Sequence, residues 1–244
     1  MHPIICKIGF LNIYSYGLAL AVAFMLGSLL ASRQAARVHA VPETVFNLCF
    51  LIFVAGIIGA RLFYVSYHLF YYLKNPLEII MLQQGGLSWF GGLMLGAGSG
   101  FFYLKKKKLP IGKTIDLLAP YLALGQAIGR IGCFLNGCCY GRVSHFGIYF
   151  PVHDAVLIPT QLYSSILLLF IFMLLRFLRE RPHRDGQIFL LYLLFYCIGR
   201  FFIEFFRADN PALFWGLTIF HLMSIAGITV AVTGIILLTR TRRK

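Results

Sequence analysis

The sequence predicts an all-α polytopic membrane bundle of about seven transmembrane helices. Three observations carry that expectation: 59% hydrophobic against 12% charged residues, a mean hydropathy of +0.81, and apolar runs that recur along the whole 244-residue chain. A soluble domain with this balance would precipitate. Each run is near the ~20 residues that cross ~30 Å of hydrocarbon as a helix, and a helix satisfies its backbone hydrogen bonds internally where no water is present.

The first span is read at 10–31. Its N-terminal flank carries only Lys7, its apolar stretch is too long for a cleaved leader, and Arg33 and Arg37 follow it like a stop, so it is expected to remain in the protein. Further spans are placed at 46–67, 87–104, 116–135, 160–178, 187–206 and 216–239. Gly92, Gly96 and Gly100 fall every fourth residue in the third span, as do Gly125 and Gly129 in the fourth, a spacing that seams helix backbones together in lipid. No internal repeat or low-complexity linker interrupts the chain, which reads as a single integral membrane domain over 1–244.

Lys and Arg near span ends are retained on the cytoplasmic side. Alternate loops hold Arg33 and Arg37; Lys105, Lys106, Lys107, Lys108 and Lys113; Arg176, Arg179, Arg181 and Arg184; and Arg240, Arg242, Arg243 and Lys244, which is 15 of the 22 Lys plus Arg. The other loops have little beyond Lys7, Lys74 and Arg142. The N-terminus is therefore expected outside and the C-terminus inside. The net charge of +14 becomes an inner-surface property drawn to anionic lipid, and no nucleic acid is needed to explain it.

Four remaining arginines are Arg61, Arg130, Arg200 and Arg207. An arginine at membrane depth costs at least ~2.5 kcal/mol on insertion scales and persists where it meets a cavity, a partner or a ligand. Arg130 lies about fourteen residues into its span, roughly 20 Å above the cytoplasmic end at ~1.5 Å per residue. Arg200, Glu204 and Arg207 stand at i, i+4 and i+7, on one helix face that ends near the outer surface. Two helices thus bring guanidinium forks to one depth, where they suit a phosphate accepting bidentate hydrogen bonds. The alternative is structural: Glu204 merely neutralises an arginine, and Arg207 snorkels to the headgroups. Arg61 is more central, without a visible local partner, and a structural role is open to it.

Of the six cysteines, Cys6, Cys49 and Cys197 read as apolar packing. Cys133, Cys138 and Cys139 lie together near the outer face, where a disulfide is conceivable but the adjacent pair would be strained. Their spacing matches no zinc pattern, so no metal and no cofactor are expected, and His145 and His153 read as solvated loop residues.

Four motifs occur in order: Gly85-Gly86-Leu87-Ser88-Trp89-Phe90-Gly91-Gly92; Gly129-Arg130-Ile131-Gly132-Cys133-Phe134-Leu135-Asn136-Gly137-Cys138-Cys139-Tyr140-Gly141-Arg142; Pro159-Thr160-Gln161-Leu162-Tyr163; and Gly199-Arg200-Phe201-Phe202-Ile203-Glu204-Phe205-Phe206-Arg207. With this spacing and span number, nearly the whole chain resembles the bacterial phosphatidylglycerol–prolipoprotein diacylglyceryl transferases. The resemblance implies an enzyme of the bacterial cytoplasmic (inner) membrane, its site toward the outer leaflet. Such an enzyme moves the diacylglyceryl group of phosphatidylglycerol to the lipobox cysteine thiol of a prolipoprotein signal peptide, forming a thioether and releasing glycerol phosphate. Arg130 and Arg200 then match essential positions, Glu204 and Arg207 shape the same wall, and Tyr16 matches a functional tyrosine, although it also suits an interfacial aromatic belt. Cys133, Asn136 and Gly141 of the central motif, with Gln161, are assigned to the substrate cavity. Asp116 matches a position thought to matter, but lies too far below Arg130 to pair with it, so capping or inter-helix bonding is expected. His221 stands where a glutamine is usual, as a core histidine or a ligand.

The chain departs from the pattern at Phe90, where a histidine is usual, at Cys133, where an asparagine is usual, and at Ile158, often a histidine. These changes leave the general base open while the anion clamp remains. A thiol with a pKa of ~8.5 near arginines is partly ionised without one. A lipid-binding paralogue with altered catalysis, or a lipid transporter, is the rival reading.

Overall fold

The computed structural model describes residues 1–8, 11–81, 85–214 and 216–240; Arg242, Arg243 and Lys244 of the basic tail lie outside them. Eight helices follow in order: α1 (Ser15–Ser32), α2 (Pro42–Tyr67), α3 (Leu69–Lys74), α4 (Trp89–Lys106), α5 (Ile111–Asn136), α6 (Thr160–Arg179), α7 (Gln187–Glu204) and α8 (Ile219–Arg240). The seven long ones correspond to the seven apolar runs. Among the described residues, six are long and apolar enough to cross a membrane. The exception is α4, diluted by Gly91, Gly92, Gly96, Gly98 and Gly100 and by its terminal Lys105 and Lys106. The chain is a multi-pass membrane protein.

Short antiparallel hairpins supplement the helices: β1 (Ile4–Ile8) with β2 (Leu11–Tyr14), β3 (Val143–Phe150) with β4 (Ala155–Leu157), and β5 (Ala212–Phe214) with β6 (Leu217–Thr218). The first of these corrects the span expected from residue 10, since α1 begins only at Ser15. Short apolar runs fit a strand as well as a helix, so hydropathy alone extended the helix into the hairpin.

The chain groups into two compact units, Ser28–Thr114 and the combination of Met1–Gly27 with Ile115–Lys244. Within the first, α2 and α4 pack backbone to backbone. A Cβ on Gly92 would meet the Gly56 carbonyl oxygen at 3.2 Å, one on Gly96 the Ile52 oxygen at 3.4 Å, and one on Gly100 the Ile52 side chain at 2.9 Å, so the four-residue glycine spacing is the α2 seam. Buried Arg61 donates from Nε to the Ile79 carbonyl at 2.9 Å, from Nη1 to Gly85 and Gly86 at 2.7 and 2.9 Å, and from Nη2 to Glu78. It ties down the segment between α2 and α4, with Tyr72 stacked at 5.2 Å. Arg61 is structural.

Within the larger unit, Ala119, Ala123 and Ala127 recur every fourth residue on α5 and admit Leu168, Ile171 and Leu175 of α6 and Ile188 and Tyr192 of α7. Ser165 donates to the Ala127 carbonyl at 2.9 Å. At the opposite end from Arg130, Asp116 accepts the amides of Gly186 at 2.6 Å and Phe189 at 2.8 Å, capping the N-terminus of α7. That is the capping role expected of Asp116. Gly125 approaches the Ala23 carbonyl of α1, but Gly129 has nothing within 4 Å of its would-be Cβ, so only one of this pair seams helices.

Candidate functional site

The C-terminal ends of α5 and α7 and the N-terminal ends of α1, α6 and α8 meet in the larger unit. Backbone hydrogen bonds join the segments that follow α5, precede α6 and follow α7. Gly141 N–H donates to Ile158 O at 2.9 Å, Ile158 N–H to Arg142 O at 3.1 Å, and Arg142 N–H to Phe206 O at 2.9 Å, while Gly141 and Arg207 form an isolated antiparallel bridge. Gly141 is required by this closeness: a Cβ there would fall 2.7 Å from the Phe206 oxygen and 2.8 Å from the Ile158 Cβ. The central motif's glycine therefore permits a close backbone contact.

Glu204 organises the charges. Its fully buried Oε2 lies 2.7 Å from Arg200 Nη2 and 3.9 Å from Arg207 Nε. Its Oε1 accepts hydrogen bonds from Asn210 Nδ2 at 2.6 Å and Thr218 Oγ1 at 2.8 Å. Arg207 is held chiefly by Asp209, which accepts from Nε at 2.8 Å and also from Nη2. Burial works against the Arg207 cation, but this forked bond and the neighbouring anions outweigh it and raise the pKa above the ordinary arginine value. Arg207 is thus paired with Asp209 and lies 3.9 Å from Glu204.

Two guanidinium groups retain donors. Arg200 Nη1 is buried without a hydrogen-bond partner among the described residues, with the Phe220 ring 4.8 Å from the guanidinium carbon. Half-buried Arg130 makes no ion pair among the described residues and lies within electrostatic reach of Arg200, Tyr16 and Cys139. Three arginines face two carboxylates here, Glu204 and Asp209, leaving one positive charge over. Guanidinium donors of this kind can bond an anion.

Tyr16, at the first turn of α1, is 38% exposed; one turn on, a Cβ on Gly132 of α5 would meet Ala19 at 2.6 Å, which sets the α1–α5 approach. Gln161 is buried and donates to the Cys138 carbonyl at 2.7 Å, while Thr160 donates to the Cys139 carbonyl at 2.8 Å. Gln161 braces the central loop, and its Oε1 is left without a partner among the described residues. Asn136 ends α5 just before Gly137 (φ 78°) turns the chain. The six cysteines are all free thiols in this structure. The sulfurs of Cys133, Cys138 and Cys139 lie within 4.8 Å of one another. Hydrogen bonds from Cys133 and Cys138, together with the fields of Arg207 and Arg130, hold the Cys139 thiol well below the usual thiol range against the effect of burial.

Sequence reasoning paired Glu204 with the arginines but missed its neutral partners Asn210 and Thr218, the Asp209 partner of Arg207, and the support under the loop. Asp209 was visible as an acid two residues past Arg207. Thr218 and His221 were visible as a helix-start pair three apart, for the Thr218 amide donates to His221 Nδ1 at 3.0 Å as in a capping box. His221 is buried between Phe201 and Phe205 and is a core histidine. His153, read as a solvated loop residue, is exposed yet clasps the loop: its Nε2 lies 2.8 Å from the Gly137 carbonyl and its ring 4.1 Å from that of Tyr140.

An apolar cleft of about 420 Å³ runs between α6 and α7, lined by Tyr163, Leu167, Phe170, Phe195, Gly199 and Phe202 among others. It reaches the residue before Arg200. Phe90 belongs to the other unit, edge-on to Trp89 at 5.4 Å.

A family model described as prolipoprotein diacylglyceryl transferase matches residues 3–237. The chain is 35% identical over 241 residues to the phosphatidylglycerol–prolipoprotein diacylglyceryl transferase of Bacillus cytotoxicus, covering 94% of this chain and 89% of that one. It is 36% identical over 200 residues to the protein of the same name from Clostridioides difficile, covering 82% and 81%. With that of Streptococcus uberis the identity is 33% over 254 residues, covering 100% and 97%.

Proposed function

Because the chain belongs to the prolipoprotein diacylglyceryl transferase family, we propose that Arg130 and Arg200 grip the phosphate of phosphatidylglycerol while its diacylglyceryl group passes to the lipobox cysteine of a prolipoprotein signal peptide. The observation that carries this reading is the pair of unspent donor sets among the described residues, Arg130 without a carboxylate and Arg200 Nη1 without an acceptor.

The acceptor thiolate attacks the glycerol carbon bearing the phosphodiester. A carbon–sulfur bond forms, the carbon–oxygen bond breaks, and glycerol phosphate leaves with a second negative charge. That charge is absent in the ground state, so a guanidinium fixed beside the departing oxygen favours the transition state over bound lipid. Arg130 and Arg200 supply this stabilisation, and Tyr16 acts with them at the head of α1. Glu204 and Arg207 form the supporting wall, with Cys133, Asn136, Gly141 and Gln161 around the cavity. The apolar cleft between α6 and α7 suits an acyl chain whose headgroup sits at Arg200.

The 15 of 22 basic residues in one set of loops support an outward N-terminus and a site facing the outer leaflet of the bacterial cytoplasmic membrane. The testing experiment is transfer from phosphatidylglycerol to a lipobox peptide in bilayers by the purified protein, read by mass. A peptide heavier by one diacylglyceryl group, with glycerol phosphate released, is expected. Lipid binding without modified peptide would replace the enzyme with a lipid-binding relative.

A further inference from the structure

The transfer step leaves the chemistry of three thiols unused. Cys133, Cys138 and Cys139 are free, part-buried, and converge to within 4.8 Å sulfur to sulfur. Around a tetrahedral ion with metal–sulfur bonds of ~2.3 Å, sulfurs stand ~3.8 Å apart, so small side-chain adjustments would close this set on a metal. A disulfide demands ~2.05 Å, and its nearest sequence pair, Cys138 with Cys139, is adjacent and strained.

The loop that carries the thiols is built rather than incidental. Cys139 adopts φ 63°, a left-handed conformation uncommon for a residue with a side chain. Gly137 at φ 78° turns the chain back towards Cys133 at the end of α5, and Cys138 N–H donates to the Cys133 carbonyl at 3.1 Å. The carbonyls of Cys138 and Cys139 are held by the buried side chains of Gln161 and Thr160. Three thiolates around a divalent ion carry a net charge of −1, and Arg130 and Arg207 act electrostatically on Cys139. This setting favours such an anionic cluster. Sulfur donors select soft cations.

We propose that Cys133, Cys138 and Cys139 form a three-thiolate site for Zn²⁺, with the fourth tetrahedral position open to a water or a thiol. Sequence spacing alone argues against zinc; the left-handed turn at Cys139 is what brings adjacent cysteines to one centre.

The test uses the full chain, purified under reductant, stripped with a chelator and dialysed against Zn²⁺. Elemental analysis is expected to give about one zinc per chain, falling to background when the three cysteines are changed to serine. Co²⁺ in place of Zn²⁺ is expected to show thiolate-to-metal charge transfer. Equal zinc in the serine variant, no zinc in the unmutated chain, or an intact mass two hydrogens short with no zinc overturns the proposal. Should the serine variant fail to fold, alkylation of the unmutated protein decides: Zn²⁺ is expected to protect Cys133, Cys138 and Cys139 while exposed Cys6 still reacts, and absence of protection overturns the site.

Discussion

Glu204 Oε2 stands 2.7 Å from Arg200 Nη2 with no carboxylate surface exposed, so one nitrogen of the guanidinium is committed and the other is left to point elsewhere. Removing the carboxylate strands the arginine. Glu204→Ala is expected to lower stability by about 3–5 kcal/mol, as for other buried pairs broken on one side. Glu204→Gln keeps acceptors for Asn210 and Thr218 and is expected to lose less. Thermal unfolding in detergent measures both.

Arg130→Lys keeps the charge and loses the planar fork. Peptide transfer is expected to fall by about 10²–10³-fold in kcat, the usual effect of losing one donor to developing charge. Phosphatidylglycerol binding is expected to change far less. Equal losses in binding and turnover would mean that Arg130 holds the lipid without acting on the transition state.

Gly141→Ala places a methyl against the Phe206 oxygen and the Ile158 side chain. It is expected to cost about 1–3 kcal/mol of stability through overpacking and to loosen the bridge to Arg207. Amide exchange at Gly141 and Arg142 should quicken in the variant.

Asp116→Ala removes both acceptors from the N-terminus of α7. A loss of about 1–2 kcal/mol is expected, as for other caps, with the transfer rate per folded molecule unchanged because Asp116 is remote from the arginines. A fall in that rate at equal folded fraction would give Asp116 a part in the reaction.

Arg61→Ala leaves the carbonyls of Glu78, Ile79, Gly85 and Gly86 without their donor. Limited proteolysis is expected to cut between α2 and α4 in the variant and to spare the unmutated protein.

The apolar runs made the seven long helices legible, and helix periodicity made the Arg200–Glu204 pair legible because i and i+4 share a face. The electrostatic reach between Arg130 and Arg200 accords with the depth expected of them, since alternate span direction fixes which ends meet. The hairpins were not legible, because short, mostly apolar runs such as Leu11–Tyr14, polar only at Asn12, fit strand and helix alike. Nor was the role of Arg61: its acceptors are backbone carbonyls some 17 to 25 positions ahead, and a carbonyl has no residue type. The cysteine cluster hid for a related reason, since its geometry depends on the backbone angle at Cys139.

The cleft between α6 and α7 has a kinetic consequence. A donor whose tails lie there while its phosphate meets Arg200 never has to leave the sheet of lipid, and the spent diglyceride departs as part of the acceptor by sliding sideways. Turnover then follows the mole fraction of phosphatidylglycerol among its neighbours. Adding buffer to the vesicles should leave the rate per enzyme unaltered, whereas adding a zwitterionic lipid should slow it.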